Sequence, residues 1–224
     1  MARSRSPWMP LLFVAGLWLA APVALASAPS DRDIDRILSS LPENQRSQII
    51  QAQLECDEAE ASITHYSTTA EEAKFSGRSA KDQLRAALVR FKAERVALRE
   101  ARQSGDPSAI TLKTQAFQAA QQNVFMHRAM GKLWLHRRSL AKLQAAHAKL
   151  WVRRCEALVR LRRLELFRDQ TSSSDLDLLG EISNAQASLV KEETRANRVQ
   201  AKVQLQESRA AQWAAQVVGY GGTP

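Results

Sequence analysis

The sequence predicts an all-α protein: a long antiparallel coiled-coil helical hairpin with a third helix packed on its base, forming an elongated three-helix bundle. Three observations carry this prediction. A heptad stripe runs from Ile49 to Ala101, one strong turn signal lies mid-chain at residues 104–107, and the two cysteines of the chain lie symmetrically about that turn. No alternating strand pattern competes with these helical signals.

The first 26 residues have the pattern of an export signal. Arg3 and Arg5 precede the apolar run from Leu11 to Ala21, and Ala24-Leu25-Ala26 fits an A-x-A cleavage site. We therefore expect a signal peptide over residues 1–26 and export to the periplasm or the medium. The alternative is an uncleaved N-terminal helix that anchors the protein, since a membrane span needs roughly 17–25 residues.

The segment after the signal leads into the first long helix. Residues 27–41 are expected to form a lead segment with a short helix, and the stop at Ser39-Ser40-Leu41 is followed by Pro42, which suits the first turn of a helix. Residues 42–218 are then expected to form a single elongated domain. Its first helix, about residues 42–103, contains no strong breaker and would be roughly 90 Å long.

The heptad stripe of this first helix is dominated by alanine. Fifteen of its sixteen a and d positions are apolar or Gly, which is typical of a coiled coil. The sixteen positions are Ile49, Ala52, Cys56, Ala59, Ile63, Tyr66, Ala70, Ala73, Gly77, Ala80, Leu84, Ala87, Phe91, Glu94, Leu98 and Ala101. Small side chains allow a partner helix to approach closely and leave room for large residues opposite them.

The turn Ser104-Gly105-Asp106-Pro107 defines a register for the second helix, about residues 107–170. Cys56 lies 49 residues before Gly105 and Cys155 lies 49 residues after Asp106, so residue x is expected to face residue 211 − x. Reflecting the stripe through this rule gives twelve apolar or Gly residues in sixteen positions on the second helix. The same rule predicts an intrachain disulfide between Cys56 and Cys155, with buried free thiols or an interchain bridge as the alternatives.

A second apolar face on the second helix predicts the packing site of the third. This face consists of Met126, Met130, Leu133, Leu140, Leu150, Leu158, Leu161 and Leu164. The break Thr171 to Asp175 precedes a helix over about 175–218, and residues 219–224 are expected to form a flexible tail. At steps of three and four, the stripe of this third helix consists of Leu178, Ile182, Ala185, Leu189, Glu192, Ala196, Val199, Val203, Gln206, Ala210, Trp213 and Val217. Because the third helix is shorter than the second, it would reach back only to about residue 128. A two-helix arm, defined here as residues 84–127, would then project beyond the three-helix base.

Charge is unevenly distributed along this hairpin. Residues 31–73 hold three basic and ten acidic side chains, whereas the facing residues 138–170 hold nine basic and three acidic ones. The arm holds seven basic and three acidic side chains without an acidic partner segment. The candidate basic binding tip consists of Arg90, Lys92, Arg95, Arg99 and Arg102. The alternative is that these are ordinary solvated arginines and lysines.

No motif of catalysis or cofactor binding occurs in the chain. There is no G-x-S-x-G, H-E-x-x-H, P-loop, G-x-G-x-x-G or C-x-x-C sequence. The register brings His65 near His147, but a metal site needs more ligands than this pair supplies. We therefore expect no enzyme activity, no cofactor and no metal.

These features favour a non-enzymatic, exported coiled-coil protein that acts by binding, as a scaffold or chaperone-like component of the cell envelope. Its shape is similar to periplasmic holdase chaperones and to the hairpins of efflux adaptors, although no sequence motif is shared. The expected partner is another envelope or secreted protein. The alternative is a basic surface that binds anionic lipid or lipopolysaccharide, and the alanine stripe is also compatible with a homo-oligomer. Export argues against nucleic acid as a ligand.

Overall fold

A computed structural model describes residues 30–171 and 176–224, which form four helices. These are α1 (Asp31–Ser40), α2 (Glu43–Ser104), α3 (Pro107–Thr171) and α4 (Leu176–Gly219). The predicted signal peptide and most of the predicted break at 171–175 lie outside the described residues. The all-α prediction is confirmed, since the described residues contain long packed helices and no strand.

The helix ends follow local capping chemistry. Ser30 caps α1, because its hydroxyl oxygen accepts a hydrogen bond from the Asp33 backbone N–H at 3.3 Å. Gly105 ends α2 with a left-handed φ of 74°. Asp106 then caps α3, since its Oδ1 accepts hydrogen bonds from the backbone N–H and the hydroxyl of Ser108. These bonds lower the pKa of the Asp106 carboxyl.

The hairpin of α2 and α3 has the predicted register. Gly77 faces Trp134, as the 211 − x rule requires, and a Cβ placed on Gly77 would lie 3.5 Å from the Trp134 Cβ. Further along the arm, the rings of Phe91 and Phe117 lie 5.0 Å apart, one helical turn from strict opposition. The turn at Gly105 therefore sets the pairing over the whole length of both helices.

The burial pattern confirms the predicted alanine stripe. All nine buried residues of α2 belong to that stripe, and none of its sixteen positions is exposed. Seven of the nine are alanine, which shows that the interface is narrow: Ala52, Ala59, Ala70, Ala73, Ala80, Ala87 and Ala101. On α3 the facing residues Ala120, Val124, Ala141, Ala148 and Cys155 are buried as well. Small side chains therefore hold the two long helices in close contact.

The central position of α3 is also confirmed. It packs against α2 along one side and against α4 along another, whereas α2 and α4 have almost no direct contact. The nine buried residues of α4 all fall in its predicted stripe, from Leu178 to Val217. Inside this interface the Gln206 amide lies 2.7 Å from the Nδ1 atom of His136. The base is thus held together by the two faces of one helix.

The end of α4 marks the boundary between base and arm. The Gly222 N–H donates to the Val217 carbonyl and the Gly221 N–H to the Val218 carbonyl, each at 2.9 Å, which is the Schellman pattern. A Cβ on Gly222 would lie 2.9 Å from Val217 and 3.0 Å from Met126. The first residues of the predicted tail therefore close a cap against α3, and beyond Met126 the arm consists of α2 and α3 alone.

The base is closed at its far end by α1. Its residues Ile34 and Leu38 join a core cluster with Leu164, Phe167 and residues of α2 and α4. An ion pair between Asp35 and Arg163 joins α1 to α3. These contacts give the base its largest apolar core.

The acidic half of α2 and the basic half of α3 face each other without forming direct ion pairs among the described residues. The pKa of Glu71 is lowered by a hydrogen bond from Lys74 on its own helix, and then by Arg138 and Lys142 across the seam. The two halves therefore attract each other at longer range, which supports the antiparallel pairing.

The close approach of α2 and α3 predicts a strong size limit at Ala141. Ala141 is 1% exposed and faces the buried Ala70. Ala141→Leu should destabilise the protein by about 1–3 kcal/mol, because the added carbons force the helices apart. Urea unfolding followed by circular dichroism measures this change.

The matched control is Ala146→Leu, because Ala146 is exposed on the same helix. It should change the free energy of unfolding by less than about 0.5 kcal/mol. Equal effects of the two substitutions would contradict the tight seam.

Candidate binding surfaces

The predicted disulfide is not formed in the structure, which contains Cys56 and Cys155 as free thiols. The register does bring them together, since each thiol influences the pKa of the other across the seam. Their sulfur atoms are nevertheless not at bonding distance. Besides suitable spacing of the Cα atoms, a disulfide needs Cβ atoms about 3.5–4.5 Å apart that point toward each other. Facing positions on two helices are therefore not sufficient for a bond.

The environment of the two thiols keeps them protonated. Burial, followed by the neighbouring Cys155, raises the pKa of Cys56 to about 12. Burial also raises the pKa of Cys155, whose side chain is completely inaccessible to solvent. Because the thiolate is the reactive form, neither cysteine has the environment of a nucleophile.

The histidines singled out by the sequence do not form a cluster. The His65 ring lies against Tyr66 at 5.4 Å, and the His147 ring lies against Trp151 at 5.9 Å. Burial lowers the pKa of His147. In residues 30–171 and 176–224, no group of three or more His, Cys, Asp or Glu side chains is arranged to hold a metal ion.

The five side chains of the predicted basic tip are all exposed, and none forms an ion pair within the described part of the chain. They do not share one face. At about 100° per residue, Lys92, Arg95, Arg99 and Arg102 occupy an arc of roughly 80° on one side of the seam. Arg90 lies on the other side of the seam, beside Asn123 and His127 of α3. Four of the five residues thus form one surface.

Two exposed valines border this basic arc and were not among the sequence-predicted site residues. Val89 is 69% exposed and Val96 is 54% exposed, seven residues apart on α2. A helical projection places both within about 60° of Lys92. The sequence signal that could have identified these two valines is their spacing of seven residues at positions outside the intrachain seam. We refer to Lys92, Arg95, Arg99, Arg102, Val89 and Val96 together as the arm face.

A groove lies where the base meets the arm. Its floor is α3 between Phe125 and Leu135, one wall is α2 between Gly77 and Leu84, and the other wall is the end of α4 from Trp213 to Tyr220. The rings of Tyr220 and Phe125 stack at 6.0 Å. The groove has a volume of about 810 Å³ and an apolar lining with basic residues among it. The sequence did not predict it, because it depends on where α4 ends.

Comparisons with known proteins do not assign this fold to a family: no family model, no curated protein and no solved structure matches the chain. A search of the described helices for membrane spans finds none with the length and apolarity to cross a bilayer.

The pKa values of the cysteines predict slow alkylation of the native protein. At pH 8 iodoacetamide should label Cys56 and Cys155 at least about 100-fold more slowly than in the unfolded chain, because the raised pKa values remove the thiolate and Cys155 is also inaccessible to solvent. Mass spectrometry of protein quenched at intervals, with and without guanidinium, measures both rates.

In guanidinium, both cysteines of each chain should become alkylated. Rapid labelling of the native protein would contradict the free, protonated pair. A crosslinked Cys56–Cys155 peptide in a non-reducing digest would also contradict the free thiols, and it would support the disulfide that the sequence predicts.

Proposed function

We propose that this protein is a non-enzymatic binding protein of the cell envelope, and that its arm face docks on an acidic surface of a partner protein. The observation that supports this best is the combination, on one side of a projecting two-helix arm, of four exposed cations and two exposed valines. The chain itself supplies no contact that would satisfy this surface among its described residues.

Charge supports an acidic partner. Lys92, Arg95, Arg99 and Arg102 follow one another along α2 at steps of three and four residues. Among the described residues, the three acidic side chains of the arm form no ion pair with them: Glu94, Glu100 and Asp106. A row of like charges on a narrow rod attracts an oppositely charged surface and speeds the encounter. The same cations repel a second copy of the arm in parallel alignment, which favours a different partner.

The valines support a protein partner over a lipid headgroup surface. Apolar anchors seven residues apart are the pattern by which a helix seats in a groove or joins another coiled coil. Val89 and Val96 have this spacing and flank the basic arc. Such apolar contacts survive moderate salt, because salt screens exposed charges but not buried apolar area.

Export of the chain supports an envelope or secreted partner. The basic start, apolar run and A-x-A site of residues 1–26 are the basis of that expectation. The role is structural, as a scaffold or a chaperone-like holder, because the arm face offers a surface for another chain and no pocket for chemistry.

The proposal predicts site-specific crosslinking at the arm. Benzoylphenylalanine at position 96 should give a discrete crosslinked product with an acidic protein in intact cells, because Val96 would be covered in the complex. Position 205 is the matched control, since Leu205 is 53% exposed on α4 and lies outside the arm. Immunoblotting followed by mass spectrometry of the products identifies the partner.

Charge reversal tests the electrostatic part. The variant K92E, R95E, R99E, R102E should lose the position-96 product, whereas the α4 variant K191E, R198E, K202E, R209E should retain it. Equal loss from both variants, or crosslinking from position 205 alone, would contradict the proposal. Loss of binding to anionic vesicles, with no protein product at position 96, would favour the lipid-surface alternative.

A further inference from the structure

The groove between the base and the arm differs in character from the arm face. Its lining is mainly apolar and includes Leu84, Phe125, Leu135 and Trp213. Three cations, Lys81, Arg128 and Lys132, line it as well, and no carboxylate does. A concave apolar surface with a few convergent charges is the usual form of a site for an organic ligand.

The three cations are available to a ligand. All three are exposed, and none of them forms an ion pair within residues 30–171 and 176–224. Arg128 and Lys132 lie one turn apart on the floor, and Lys81 lies on the α2 wall. Because all three line the same groove, an anionic group bound there would meet cationic side chains from two helices.

The length of the groove fits one hydrocarbon chain. The floor from Phe125 to Leu135 rises about 15 Å along the axis of α3. The hydrocarbon core of a bilayer is about 30 Å thick, so one acyl chain of a leaflet spans about the same 15 Å. A volume of about 810 Å³ lies in the range of small-molecule sites.

We propose that this groove binds a single-chain amphiphile with an anionic head group, taken up as a free molecule from solution. The acyl chain lies against Leu84, Leu135 and Trp213, and the head group lies among Lys81, Arg128 and Lys132. The inference does not rest on the proposed function of the arm, because the residues concerned are different. The two proposals therefore succeed or fail separately.

Gly131 provides the room for the chain. It lies on the groove floor within a helix, where glycine weakens the helix, and a Cβ placed on it would meet nothing within 4 Å. A side chain at this position would therefore begin in open space at the groove floor. Gly180 is the matched control, because it is an exposed helical glycine of α4 whose added Cβ also meets nothing within 4 Å.

The test uses 11-(dansylamino)undecanoate, a fluorescent fatty acid, with energy transfer from tryptophan as the signal. Trp213 lines the groove, so bound probe should give saturable transfer with one site per chain. Gly131→Leu should raise the Kd at least about tenfold, and Gly180→Leu should leave it unchanged within about twofold. Circular dichroism confirms that each variant keeps its helices.

Two further measurements test which chemical features of the ligand the groove recognises. The variant K81E, R128E, K132E should raise the Kd at least about tenfold, and the uncharged methyl ester of the probe should bind the native protein about tenfold more weakly. Cosedimentation with phosphatidylglycerol vesicles should not change on Gly131→Leu, because the ligand enters as a free molecule.

Several results would overturn the proposal. These are absence of saturable binding, equal affinity for acid and ester, and equal effects of the two glycine substitutions. Loss of vesicle binding in Gly131→Leu would reassign the groove to a membrane surface. A change of oligomeric state in sedimentation velocity for that variant would reassign it to a contact between copies of the chain.

Discussion

The structure depends on the close approach of α2 and α3 along an alanine seam. Alanine buries little apolar area, so stability has to come from the length of the contact and not from any single residue. A narrow seam also fixes the register firmly, because Trp134 fits where Gly77 gives it space. Every other feature follows from this pairing: the position of the turn, the adjacent thiols and the two faces of α3 that remain for packing.

Periodicity and symmetry in the sequence were sufficient to predict the hairpin. The heptad stripe of α2, the left-handed Gly105 and the stripe of α4 are local or repeating signals. Each of the two helices α2 and α4 has nine buried residues, and all of them lie in the predicted stripes. On α3 the buried Ala129 and Phe167 lay outside the predicted stripes. They contact α4 and α1, and such contacts depend on the angle at which a second helix crosses, which periodicity does not contain.

The candidate sites were predicted less well, for related reasons. Listing the arm cations by sequence position put Arg90 together with residues that lie across the seam from it. The disulfide was inferred from opposition alone, although a sulfur–sulfur bond also needs a particular separation and direction of the Cβ atoms. The groove was not found at all, because three helices contribute to it and its outer end depends on the cap at Gly221 and Gly222.

The place where α4 ends has a mechanical consequence. A rod of three packed helices resists bending more strongly than a rod of two, so thermal bending should concentrate beyond the contact of Gly222 with Met126. The end of the arm would then sweep a cone of directions while the base keeps its shape. Extending α4 by one heptad would stiffen about 10 Å more of the arm and narrow that cone.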